Sequence, residues 1–93
     1  MSECEEVKLG QLVISKMGRD RGRLCVIVRR LDDRAVLVAD GRAHKFSRPK
    51  RKNVKHLIRL NNVDERLEEK LTKGIEVTDQ EIAETLDGYR AKD

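Results

Sequence analysis

Apolar side chains recur at every second position through much of the first sixty residues, and after Leu60 that period gives way to one of three to four. A period of two lines one face of a strand, and a period near 3.6 lines one face of a helix. The chain is therefore expected to fold as a strand-rich module followed by helices. Gln11 to Lys16 alternates with Leu12 and Ile14 on one face. Leu24 to Val28 is an unbroken, largely β-branched run, which predicts a strand buried on both sides. Arg34 to Asp40 sets Val36 and Val38 opposite Ala35, Leu37 and Ala39. Arg42 to Phe46 reads as a short fourth strand. Val54 to Leu60 reads as a fifth, with Val54, His56, Ile58 and Leu60 on one face and His56 among the core positions.

The punctuation between these runs agrees. Gly18 and Gly22 bracket the first turn, Asp32-Asp33 the second, and Asp40-Gly41 the third. Pro49 ends the fourth run, because proline cannot donate to a sheet ladder. Short strands at close spacing, joined by Gly and Asp turns, predict a mainly β fold, a small five-stranded barrel. Beyond Leu60, Asp64 to Thr72 carries Leu67 and Leu71 at i, i+4 and stops near Gly74. Thr78 and Glu81 then spell a capping box, with Val77 and Ile82 placed as its hydrophobic staple. Ile82 and Leu86 share a face, and Gly88 is the expected C-terminal cap. Helices this short are unstable alone, so their apolar faces must dock or fray.

Composition sets the size of the core. Apolar residues are 38% of the chain and the aromatics are Phe46 and Tyr89, so the core is small and aliphatic. Phe46 is expected in it. No apolar run approaches the roughly 20 residues that span a bilayer. Met1 to Glu6 is acidic where a secretory signal is basic and then apolar, which reads as a soluble, cytosolic chain. Cys4 and Cys25 predict no disulfide, and Cys25 is expected as a small core residue. His44 and His56 supply no H-x-x-H spacing and the cysteines no C-x-x-C, so neither metal nor cofactor is expected. No constellation of nucleophile and base, or of paired carboxylates, can be assembled, which argues against an enzyme.

Charge points to a partner. Arg42 to Arg59 carries eight Lys or Arg and no acid. Residues 1–60 hold 16 basic and 7 acidic side chains, whereas residues 61–93 hold 5 and 10. A concentrated cationic block on a strand-rich module is the footprint of a nucleic-acid binder. The candidate contacts are Lys16, Arg19, Arg21 and Arg23 at the first turn, with Arg42, Lys45, Arg48, Lys50, Arg51, Lys52, Asn53 and Lys55 in the block. Asn53 is open to two roles, a cap for the chain or a ribose contact. Asp20, flanked by arginines, is expected to order its turn. Base-stacking readers of single strands need aromatics. With Phe46 alone near the block, recognition of backbone and shape is expected instead.

Three segments fall in order: Gly10 to Val28 with its Gly18–Gly22 turn, Val36-Leu37-Val38-Ala39-Asp40-Gly41, and Arg48-Pro49-Lys50-Arg51-Lys52-Asn53-Val54-Lys55-His56-Leu57. This order resembles the KOW-motif family of RNA-binding modules, and more closely the archaeal and eukaryotic ribosomal protein group L-fourteen-e. The resemblance covers residues 8–60, and the acidic tail is similar in plan to that of archaeal members. It implies an SH3-like five-stranded barrel that binds structured RNA, usually ribosomal RNA. Lys16, Arg19, Arg21 and Arg23 match the family's basic turn, and Arg48, Lys50, Arg51, Lys52 and Asn53 its basic loop. The chain departs from elongation-factor KOW proteins of the NusG type in having no larger domain before the module, which turns the expectation away from transcription elongation.

The expectation is thus an RNA-binding barrel at residues 8–60 with an acidic helical extension at 61–93. The protein would be ribosomal or ribosome-associated, cytoplasmic, monomeric when free and without membrane contact. Its partners would be ribosomal RNA of the large subunit and neighbouring ribosomal proteins. The alternative is a protein-interaction adaptor, or a transcription or translation factor module, using the barrel and the acidic helices. A third reading folds the tail over the basic face as an autoinhibitor.

Overall fold

The computed structural model describes residues 7–91. Five antiparallel strands form one sheet: β1 (Gln11–Ser15), β2 (Leu24–Arg30), β3 (Ala35–Ala39), β4 (Lys50–Asn53) and β5 (Leu57–Val63), in the spatial order β4-β3-β2-β1-β5. Two helices follow, α1 (Glu65–Thr72) and α2 (Asp79–Ala91). The hydrogen-bonded ladder leaves β4 and β5 as edges, so the sheet is not closed.

The sheet is nevertheless strongly curled. Laid flat, five strands at the usual spacing would hold their edges roughly 19 Å apart. Yet β4 and β5, the two opposite edges, are joined by a single 3-10 turn at Val54–His56, which spans only about 6 Å. Register shifts between Gln11 and Val13 and between Ile27 and Arg29 contribute, since such irregularities bend a strand and sharpen its twist.

Every residue from Leu24 to Val28 is buried, as the unbroken apolar run predicted. Alternate side chains of β2 feed two cores. On one side Cys25 and Ile27 pack with Val7, Val13, Val36, Val38, Val54 and Leu57. On the other, Leu24, Val26 and Val28 pack with Leu12 and Ala39 against Leu67, Val77, Ile82 and Leu86 of the helical region. Phe46, Leu60, Leu71 and Tyr89 close the margin of this second core. The helices dock rather than fray. Cys25 is a free, buried thiol, and burial pushes it up to about 12. Cys4 lies outside the described residues.

Glycine makes the docking close. Gly41 has φ of 79°, and a Cβ there would stand 2.3 Å from the Asp79 carbonyl at the start of α2. At Gly10 it would meet the Glu68 amide of α1 at 2.8 Å. The helix ends are fastened too. Thr78 Oγ1 accepts from the Glu81 N–H at 3.0 Å while Glu81 Oε2 accepts from the Thr78 N–H at 2.9 Å, the reciprocal box that the spacing predicted. Val77 and Ile82, the predicted staple, lie in the same core. Asp64 caps α1 through Leu67 N–H at 3.0 Å, and its other oxygen accepts from Thr85 Oγ1 at 2.8 Å, tying α1 to α2.

Three expectations are corrected. The fourth strand is Lys50–Asn53, after Pro49, and Arg42 to Phe46 is loop. The fifth strand starts at Leu57, three residues late, because Val54–His56 forms the 3-10 turn. With three residues per turn, Val54 and Leu57 fall on one side and are buried. His56 and Ile58 thereby lose the core phase and are exposed. Gly88 lies inside α2, three residues before its end, and does not cap it.

Candidate nucleic-acid interface

The turn between β1 and β2 is built by a 3-10 segment, Gly18–Asp20, between two glycines of positive φ, Gly18 at 76° and Gly22 at 85°. It is pinned by backbone bonds from Arg21 N–H to the Gly18 carbonyl and from Arg23 N–H to the Asp20 carbonyl. This geometry sends Arg19 and Arg21 outward, both exposed, and turns Asp20 inward. Asp20 then meets three cationic or polar partners, two of them from distant parts of the chain. Lys52 Nζ of β4 lies 2.9 Å from Oδ2, His44 Nε2 3.1 Å from Oδ1, and Arg23 Nε 3.5 Å from Oδ1. The hydrogen bond from Lys52, opposed by partial burial, leads the forces that lower the Asp20 carboxyl to about 2.

Asp40 plays a parallel part at the end of β3. It is buried, which alone would raise its pKa, but N–H groups of Arg42 and His44 donate to Oδ1 and Arg23 Nη1 donates to Oδ2 at 2.9 Å. Together these outweigh burial and leave Asp40 below the ordinary carboxylate range. Arg23 is in turn raised, chiefly by its bond to Asp40. Two inward acids thus hold the turn, the loop after β3 and the edge strand in one arrangement.

The predicted contacts separate into two sets. Lys16, Arg19, Arg21, Lys45, Arg48, Lys50, Arg51 and Lys55 are exposed and make no ion pair with any described residue. The other four are engaged within the molecule. Arg23 and Lys52 are held by the aspartates, Lys52 with only 12% of its side chain exposed. Arg42 Nη2 bonds to Asp87 of α2 at 2.9 Å. Asn53 caps the 3-10 turn by accepting from Lys55 N–H at 2.9 Å, which is one of the two roles left open for it. In register, Lys50 faces Val38, Arg51 faces Leu37 and Lys52 faces Val36, so the basic segment is a charged edge strand rather than a loop. Lysines on an edge also discourage pairing with another sheet.

The acidic tail meets this block at the Asp87–Arg42 pair and through Asp79 Oδ1, which accepts from the Phe46 N–H at 2.7 Å. Other pairs of the tail are internal, Lys70 with Glu81 and Lys73 with Glu69 among them. One cation near the turn escaped sequence reasoning: Arg90, in the last turn of α2, lines the same cleft as Arg19, Arg21 and Arg23. Its only local sign is the i, i+3 spacing to Asp87, whose Oδ1 lies 3.1 Å from Arg90 Nη1. Among the described residues no group of three or more His, Cys, Asp or Glu is placed to hold a metal ion.

No family model matches the chain. Among curated proteins it is 30% identical over 81 residues to large ribosomal subunit protein eL14 of Hyperthermus butylicus, a match covering 87% of this chain and 76% of that protein. It is 33% identical over 57 residues to large ribosomal subunit protein eL14 of Staphylothermus marinus, covering 61% of this chain and 59% of that relative's length.

Proposed function

The chain belongs to the family of large ribosomal subunit protein eL14, and on that premise we propose that it is a ribosomal RNA-binding protein of the large subunit. The turn between β1 and β2 and the β4 edge grip the phosphates of a folded RNA. The observation that carries this reading is the set of eight exposed cations, without an ion pair among the described residues, around the turn, the loop and the edge strand, on a scaffold that already neutralises its inward ones. Arginine suits the task because its planar fork donates two parallel bonds to phosphate. A-form RNA is recognised mostly by shape and by its phosphates and 2′-hydroxyls. The curled sheet is read as an SH3-like barrel whose seam between β4 and β5 is crossed by the 3-10 turn. The mechanism is electrostatic clamping with release of counterions, so affinity falls steeply with salt. Catalysis forms no part of this reading.

Replacing Lys50 and Arg51 with Ala, which leaves the Lys52–Asp20 pair intact, tests it. Binding to deproteinised large-subunit RNA should weaken, and the slope of log K against log salt should fall by about 2, one for each lost phosphate contact. Unchanged affinity and slope would reject the edge strand as a contact. The ribosomal placement is tested by gradient sedimentation of lysate: the protein should travel with the large subunit through a high-salt wash. Its absence from that fraction at low salt would reject the placement.

A neighbouring ribosomal protein is the second partner of this reading. The groove lined by Leu9, Val28, Phe46, Leu71 and Ile75 leaves Ile75 49% exposed and is where such a contact fits.

A further inference from the structure

We propose that Arg90, in the last turn of the acidic tail, completes a phosphate-binding cleft with Arg19, Arg21 and Arg23 of the turn between β1 and β2. The tail is then part of the RNA-binding surface and not only a prop for the sheet. This rests on the RNA-binding reading above and extends it to a position in the C-terminal segment, residues 61–93, whose net charge is negative.

The cleft is an open pocket of about 310 Å³ whose walls come from the turn and from the end of α2. Four arginines and one acid, Asp20, are among the residues that line it, and that acid is already engaged by Lys52, His44 and Arg23. Arg19 and Arg21 are exposed and without an ion pair among the described residues. Arg23 is anchored to Asp40 through Nη1, and its shielded Nε faces Asp20 Oδ1 at 3.5 Å. Arg90 is tethered through Nη1 to Asp87, and Asp87 is braced by Arg42 through its other oxygen. A guanidinium carries five N–H donors, so one tether fixes its direction and leaves the rest free for an oxyanion. The charges of Arg19 and Arg21 have no ion-pair partner among the described residues, and a phosphate supplies one. Arg90 meets the turn because α2 docks through Ile82 and Leu86, two helical turns and one helical turn before it.

Two sources can supply the anion, an RNA phosphodiester or free phosphate, and one pair of measurements separates them. The full chain and its Arg90→Gln and Arg90→Lys variants are titrated with deproteinised large-subunit RNA across a salt series. The arginine Nε–Hε signals are then followed by NMR while inorganic phosphate is added. With RNA, R90Q should bind about 3- to 10-fold more weakly with a slope lower by about 1, and R90K should recover most of the loss. Wild-type affinity and slope in R90Q overturn the inference while leaving RNA binding by the turn and β4 in place. If the full chain binds no RNA, yet phosphate moves the Arg19, Arg21, Arg23 and Arg90 signals together and R90Q abolishes that common response, the cleft stands as a free-phosphate site and the RNA reading falls. If the chain binds no RNA and phosphate leaves those signals unmoved, both fall.

Discussion

Asp20 Oδ2 lies 2.9 Å from Lys52 Nζ, and this one contact joins the turn between β1 and β2 to the edge strand β4. The residues are 32 positions apart, and the side chains are 15% and 12% exposed. The basic surface is therefore held from within by an acid that is largely covered by the cations it binds. Arg23 and His44 share the same carboxylate.

Replacing Asp20 with Asn keeps the shape and removes the charge. Lys52 would remain half-hidden without its counter-ion, at a cost of about 1–3 kcal/mol. Urea unfolding should show a lower midpoint with an unchanged m-value, and a wild-type midpoint would reject the role given to the pair.

The same carboxylate sets a pH dependence. Its pKa in the folded protein is about 2, against an ordinary value of 3.8, so between these values the unfolded state binds more protons. Its contribution is present in full above about pH 4 and is lost as pH falls through 2, and Asp40 acts in the same direction. Thermal melts from pH 5 to 2 should fall more steeply for the natural protein than for Asp20→Asn. Parallel curves would contradict the assignment.

Thr78→Ala removes one half of the capping box and leaves the Glu81 N–H without its side-chain acceptor. A loss of about 1 kcal/mol is expected, or a melting temperature lower by roughly 4–8 °C for a domain of this size. Calorimetry measures it directly.

Gly18 and Gly41 have nearly the same φ, 76° and 79°, but different surroundings. At Gly18 a Cβ meets nothing within 4 Å, so Ala there should cost only the left-handed strain, about 1–2 kcal/mol. At Gly41 it would collide with the Asp79 carbonyl, so Ala must also push α2 off the sheet. Equal losses in parallel denaturation curves would show that the close approach at Gly41 is not needed.

Strands β1 to β3 were legible because each carries apolar side chains in a strand pattern, and the capping box because its two bonds are local. Strand β4 was not, because Lys50 to Asn53 has no apolar residue and an edge position requires none. His56 was misread because a 3-10 turn resets the phase without leaving a Gly or Pro to mark it. The candidate cations were visible as a charged run, but not which of them are already committed. That depends on pairs such as Asp20 with Lys52 and Arg42 with Asp87, brought together only by the completed fold.

The double-sided burial of β2 also has a consequence in time. The last strand ends at Val63, yet the layer that covers Leu12, Leu24, Val26 and Val28 comes from residues 67–86. A chain growing from its N-terminus, at about 5–20 residues per second, finishes its sheet before it has made the means to keep one face dry. For the second or more that separates Val63 from Leu86, the nascent protein is a half-roofed sheet. Its lasting form is reached only when α2 has cleared the machinery that makes it.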